Sequence, residues 1–364
     1  MRKIAALVLT VLMFFVLSTE SSALPKGAVL IDLENGRVLF EHNKDENLPM
    51  ASTTKIMTAL IALEEENTDE YFTVNKADVT VEGSSMGLLP GDKVTLKILA
   101  KGMLLASGND AANAAAVKIS GSVENFVKLM NKRAKEMGLL NTSFETPSGL
   151  DGENHFSTAH DMAILAKNAL QNPDFAAICG QTRLREEYGN PPYSRVIVNH
   201  NRLLRTFEGA TGVKTGFTKK AGRCLVSSAE REGVSLICVT LGCPDDWNYH
   251  TALYNEYFGK LKSVQLENFI TGTEVPVCGG TLKTVTVFPK AVSASLFEGE
   301  KERIDVVISK PPFVFAPVKK GDIIGKALFY LEGELIAETP LLAENNIETV
   351  PENGGFWDDI KDIF

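Results

Sequence analysis

Two hydrophobic periods take turns along this chain. Gly27-Ala28-Val29-Leu30-Ile31-Asp32 and Arg37-Val38-Leu39-Phe40 are apolar runs of strand length around Leu33-Glu34-Asn35-Gly36. Asn-Gly between such runs predicts a hairpin. The period then lengthens. Ile56, Met57, Leu60, Ile61 and Leu63 form a helical stripe that ends in Glu64-Glu65-Glu66. Gly83-Ser84-Ser85 and Pro90-Gly91-Asp92 carry loop chemistry. Helices are predicted over Leu96 to Ala106, Ala111 to Ile119, Val123 to Met137 and Asp161 to Leu170, the last with Ser157-Thr158 as a cap.

Strand patterning returns at Gly209 to Gly216. Arg223 to Ala229 and Val234 to Leu241 predict a second hairpin around Glu230-Arg231-Glu232-Gly233, and Tyr249 to Tyr257 a helix. The order strands, helices, strands predicts an α+β fold. It suits an antiparallel sheet with helices on its faces and a helical subdomain inserted between strands. From about Phe269 only short β-branched runs remain between Gly and Pro turns, which predicts a small all-β domain, a sandwich. The expected boundaries are 24–265 for the first domain, 269–345 for the β-domain and 346–364 for a linker and tail.

The two ends carry their own signals. Arg2 and Lys3 precede an apolar run from Ile4 to Leu17, and Ser21-Ser22-Ala23 offers small residues for cleavage. Residues 1–23 therefore read as an export signal, since the run is short of the ~20 residues of a spanning helix. At the other end Phe356, Trp357, Ile360, Ile363 and Phe364 share one helical face. The segment Phe356 to Phe364 suits peripheral membrane contact, docking on protein, or no fixed structure. Its polar side, Asp358, Asp359, Lys361 and Asp362, is more acidic than membrane-surface helices usually are.

The 364 residues carry a net charge of −9, which gives no electrostatic case for nucleic acid. Five cysteines without a C-x-x-C and scattered histidines give no metal site. Cys224 and Cys238 lie on paired strands and are read as buried thiols, with a bridge as the alternative.

Three short motifs carry the candidate chemistry: Ser52-Thr53-Thr54-Lys55, Ser107-Gly108-Asn109 and Lys214-Thr215-Gly216. A serine hydroxyl needs a base to become a nucleophile. Lys55, three residues on, lies one helical turn away on the same face. It acts as a base only when uncharged, which burial and a second cation, Lys214, would promote. Ser107 and Asn109 flank a glycine between helices. Ser107 suits proton relay, and the Asn109 amide suits a substrate carbonyl. Asp110 is read as the cap of the next helix. Gly216 lets a ligand approach the strand. The N–H groups of Ser52 and Phe217 are expected to form an oxyanion hole, and Thr215 to bind a terminal carboxylate.

This ordered trio resembles the penicillin-binding proteins and class A β-lactamases. The likeness is closer to the low-molecular-mass penicillin-binding proteins, the serine D-alanyl-D-alanine carboxypeptidases. It extends through Pro49 to Thr58, Glu82 to Leu88, Pro90-Gly91-Asp92, Thr146 to Leu150, His155, Ser157 to Ala159, Asp161 to Ala163 and Gly212 to Gly222. The resemblance implies a β-lactamase/transpeptidase-like catalytic domain followed by a β-domain. It implies an extracytoplasmic enzyme that removes the terminal D-alanine from peptidoglycan stem peptides through an acyl-enzyme on Ser52. β-Lactam antibiotics would acylate the same serine, and no cofactor is expected. The alternatives are a β-lactamase, a DD-endopeptidase using the same residues, and a catalytically silent wall scaffold. The chain also departs from its relatives. Gly242-Cys243-Pro244-Asp245-Asp246-Trp247-Asn248 lacks the basic residue that many of them use for the substrate carboxylate. That contact then falls to Lys214, Thr215 or Arg223.

Overall fold

A computed structural model describes residues 24–350. The export signal expected over 1–23 and the apolar face expected over 356–364 lie outside the described residues. The described chain divides into two units. One comprises residues 24–30, Leu39–Ala229 and Ile237–Leu253; the other comprises Ile31–Val38, Glu230–Leu236 and residues 254–350.

In the first unit, β1 (Gly27–Asp32) and β2 (Val38–His42) form the expected hairpin. α1 (Lys55–Glu64) is buried at every position from Lys55 to Leu63, as befits a helix at the centre of its layer. Two short strands, β3 (Phe72–Thr73) and β4 (Lys93–Val94), pair with each other. They frame α2 (Lys76–Val79). α3 (Leu96–Leu105) and α4 (Asn109–Ser120) pack on α1. Ala111, Ala112, Ala114, Ala115 and Ala116 of α4 are buried, and their small side chains permit close approach.

α5 (Val123–Glu136) buries only Phe126, Met130 and Ala134, an i, i+4, i+8 stripe. α6 (Ala159–Leu170) starts where the Thr158 side chain accepts from the Asp161 N–H at 3.0 Å. α7 (Pro173–Cys179) begins with Asn172 as cap and a proline in its first turn.

The hairpin β5 (Arg183–Gly189) and β6 (Pro192–Val198) was not foreseen. In β5 the exposed alternate residues Arg183, Arg185 and Glu187 are charged, whereas β6 exposes Tyr193, Val196 and Val198, so the pair carries no apolar stripe on one buried face. After α8 (Leu203–Thr206) come β7 (Ala210–Thr218), β8 (Gly222–Arg231) and β9 (Val234–Leu241), then α9 (Asp246–Phe258). The sheet order is β2-β1-β9-β8-β7, so the third motif occupies an edge strand. The expected α+β class is the observed one, with the helices inserted between β2 and β7. Cys224 and Cys238 are buried free thiols, not a disulfide.

The second unit is built from strands. β10 (Leu261–Gln265) pairs with β13 (Ser293–Phe297). A six-stranded sheet joins β11 (Thr273–Cys278), β12 (Thr284–Pro289), β14 (Ile304–Ser309), β15 (Val314–Phe315), β16 (Ile323–Leu331) and β17 (Glu334–Ala343), in the order β14-β16-β17-β12-β11-β15. Alternation sets its core: Val275 and Val277, Val285 and Val287, Ala327 and Phe329 point inward. Among the described residues no helix is long and apolar enough to cross a membrane.

Candidate active site

Ser52 sits in a single tight turn, Ala51–Thr54, placed directly before α1. The chain enters it through a left-handed Ala51, φ 49°. Two threonine hydroxyls hold it: Thr53 Oγ1 donates to Met50 O at 2.6 Å, and Thr54 Oγ1 to Ala51 O at 2.8 Å. Both threonines are buried, whereas Ser52 remains partly open. His155 supports the turn from below. Its Nδ1 accepts from the Glu145 N–H at 2.9 Å, so the ring proton resides on Nε2 and is donated to Thr54 Oγ1 at 2.8 Å. Burial lowers the His155 pKa to about 4, which keeps this ring neutral.

Lys55 is the first residue of α1, and its side chain is fully buried. Nζ lies 3.0 Å from Ser52 Oγ, 2.7 Å from Asn109 Oδ1 and 2.5 Å from Ser148 O. None of these partners is a carboxylate. Desolvation, and then the Lys214 charge, push the Lys55 pKa well below that of an ordinary lysine, against a smaller opposing pull from Asp110. An uncharged amine has two N–H groups and one lone pair. Asn109 Oδ1 and Ser148 O take the two N–H groups, which leaves the lone pair for the Ser52 hydroxyl.

The second motif differs from its expected conformation. Ser107 adopts φ 60°, and Asn109 is not on a loop but opens α4. The Asn109 amide is used within the protein: Oδ1 on Lys55, and Nδ2 donating to Glu82 O at 2.6 Å. The second N–H of Nδ2 has no acceptor among the described residues, so Nδ2 spends one of its two donors on Glu82. Asp110 is not the helix cap, a position held by Gly108. Instead its carboxylate accepts from Ser85 Oγ at 2.5 Å and from the N–H groups of Met86, Gly87 and Leu88 at 2.9, 3.1 and 3.0 Å. It thereby ties the loop before α3 to the start of α4, one residue from the motif.

The third motif places Lys214 fully buried, with Nζ donating to Ser107 Oγ at 3.1 Å and to Thr215 O at 2.8 Å. Burial lowers its pKa to about 7. Gly216 faces the serine turn so closely that a Cβ there would stand 3.0 Å from Ser52 N. Phe217 lies opposite Arg223, whose carbonyl accepts from the Cys243 N–H on its other side. Phe217 is thus in a non-hydrogen-bonded pair, and its N–H points off the sheet edge.

Thr215, Gly216 and Phe217 line a cleft of about 260 Å³ with Ser52, Ser107, Ser84, His200, Arg223, Asp246 and Trp247. Ser84, His200, Asp246 and Trp247 were missed as site residues. No spacing rule marks them, because Ser84, His200 and the adjacent pair Asp246-Trp247 come from three separate parts of the chain. His200 shows one trace, an imidazole whose pKa is lowered by burial and by Lys214.

The family model described as D-alanyl-D-alanine carboxypeptidase matches residues 17–245, and the penicillin-binding protein 5 C-terminal domain matches residues 262–349. The D-alanyl-D-alanine carboxypeptidase DacF of Bacillus subtilis is 37% identical over 89% of this chain and 86% of its own length. This chain belongs to the D-alanyl-D-alanine carboxypeptidase family. DacC of Escherichia coli is 34% identical over 91% of the carboxypeptidase described here and 86% of its own length. Among solved structures, penicillin-binding protein 5 from Haemophilus influenzae superposes with a TM-score of 0.69 at 29% identity, covering 89% of this chain and 97% of that one. The carboxypeptidase is a serine-type hydrolase of the penicillin-binding protein kind.

Proposed function

We propose that Ser52 is the nucleophile, Lys55 its base and Ser107 the proton relay of a D-alanyl-D-alanine carboxypeptidase acting on peptidoglycan stem peptides. The observation that carries this reading is the fully buried Lys55 amine, 3.0 Å from the Ser52 hydroxyl and without an acidic partner. Lys55 takes the hydroxyl proton as Ser52 Oγ attacks the carbonyl between the last two residues. The N–H groups of Ser52 and Phe217 stabilise the oxyanion. Lys55 gives that proton back through Ser107, which Lys214 contacts, to the departing amine, and is neutral again. An ester on Ser52 remains. Water then attacks it, with Lys55 accepting the water proton and passing it to Ser52 Oγ as the shortened peptide leaves. Asn109 fixes the base and presents its remaining N–H to the substrate.

An ester on the same Ser52 oxygen forms when Ser52 opens a β-lactam ring, with the ring nitrogen as the leaving group that stays tethered. Export through residues 1–23 would put the enzyme outside the cytoplasmic membrane, where its substrate lies. In this reading residues 24–265 are the catalytic domain, 269–345 the β-domain, and Phe356 to Phe364 a peripheral membrane contact.

Mass spectrometry of the intact protein after benzylpenicillin, followed by assay of D-alanine release from a pentapeptide, tests the proposal. The wild type should gain one adduct on Ser52. Ser52→Ala should gain none, and Lys55→Ala should acylate at least ~100-fold more slowly, as expected for loss of the general base. An adduct on Ser52→Ala would remove the nucleophile from the scheme.

A further inference from the structure

The reaction removes a residue that ends in a carboxylate, so something in the cleft has to meet that charge. Lys214 is poorly placed to do so alone. Two of the three N–H groups of its ammonium go to Ser107 Oγ and Thr215 O, which leaves one. The guanidinium in the cleft wall is Arg223, from β8. Its Nε and Nη2 donate to one oxygen, Asp246 Oδ1, at 3.0 and 2.6 Å. Its guanidinium carbon lies 5.1 Å from the centroid of the Trp247 ring. The Asp246 side chain is 2% exposed, whereas that of Arg223 is 39% exposed. The arginine is therefore pinned from behind and open in front. Two of its five N–H groups are spent on Asp246, and three remain.

We infer that Arg223, held by Asp246 and Trp247, receives the carboxylate of the leaving residue and selects substrates with a free C-terminus. The inference rests on Ser52 attacking a peptide seated in this cleft. Asp246 is a positioning residue that fixes the guanidinium plane, so that bidentate pairing costs little ordering of a long side chain. A loop that carries acidic residues where relatives place a cation then has a physical role. The cation is supplied by the neighbouring strand, and the loop supplies its anchor.

The test compares two substrates, a diacetyl-Lys-D-Ala-D-Ala free acid and its C-terminal amide, through kcat/KM. Wild type should prefer the acid. Arg223→Gln should lose about 10–100-fold on the acid, the range for hydrogen bonds to a charged group, with little change on the amide. Arg223→Lys should recover part of the preference. Asp246→Asn should raise KM for the acid about 3–10-fold with kcat nearly kept. An unchanged acid-to-amide ratio in Arg223→Gln overturns the inference, and so do equal losses on both substrates, which mark a structural role only. A wild type that releases no D-alanine from the acid refutes the parent reading instead.

Discussion

A single methyl group at position 149 should disable the nucleophile. Gly149 follows Ser148, whose carbonyl binds Lys55, and it adopts φ +85°, where an L side chain is strained by about 1–2 kcal/mol. A Cβ there would stand 2.0 Å from Ala51 O, 2.5 Å from Ala51 C and 2.9 Å from Thr54 Oγ1. Carbon and oxygen normally meet beyond about 3 Å, so one backbone segment must retreat by about 1 Å. Neither can do so freely. Ala51 leads into Ser52 and accepts the Thr54 hydroxyl, while Ser148 O holds the base at 2.5 Å. Overpacking of this kind costs about 1–3 kcal/mol of stability. A 1 Å displacement of reacting groups costs about 100-fold in rate. Gly149→Ala should therefore fold, with a lower thermal midpoint, and acylate with fluorescent penicillin about 100-fold more slowly. The assay is the pseudo-first-order rate of labelling, with the melting curve run alongside. A folded Gly149→Ala protein that labels at the wild-type rate would show that the contact between these segments does not position Ser52.

Two further outcomes follow from the charges. The pH profile of kcat/KM for D-alanine release should fall on the acid side as Lys55 takes up a proton, and on the alkaline side as Lys214, with a pKa of about 7, loses its charge. Lys214→Ala should abolish the alkaline limb, and a profile that keeps it would assign that limb elsewhere. Asp110→Ala leaves Ser85 Oγ and three backbone N–H groups without their acceptor, and should destabilise the protein by about 2–4 kcal/mol in urea unfolding. A change below about 0.5 kcal/mol would mean that water replaces the carboxylate and the loop is not tied by it.

The primary sequence determined the order of elements and the partners closest in chain. Lys55 reaches Ser52 because three residues make one turn, a relation that local geometry enforces. The first hairpin follows from Asn35-Gly36, and the inward face of the last sheet from its alternating valines. Only the tertiary structure decided what those residues experience. Whether Lys55 is a base depends on burial and on Lys214, far along the chain. Asp110 looked like a helix cap by position, yet it bonds a loop some 25 residues earlier. Arg223 and Asp246 meet because β8 and the start of α9 come together, a pairing without a periodic trace. Local conformation is governed by neighbouring residues, whereas solvation and charge coupling are governed by distance in space, which spacing along a chain does not encode.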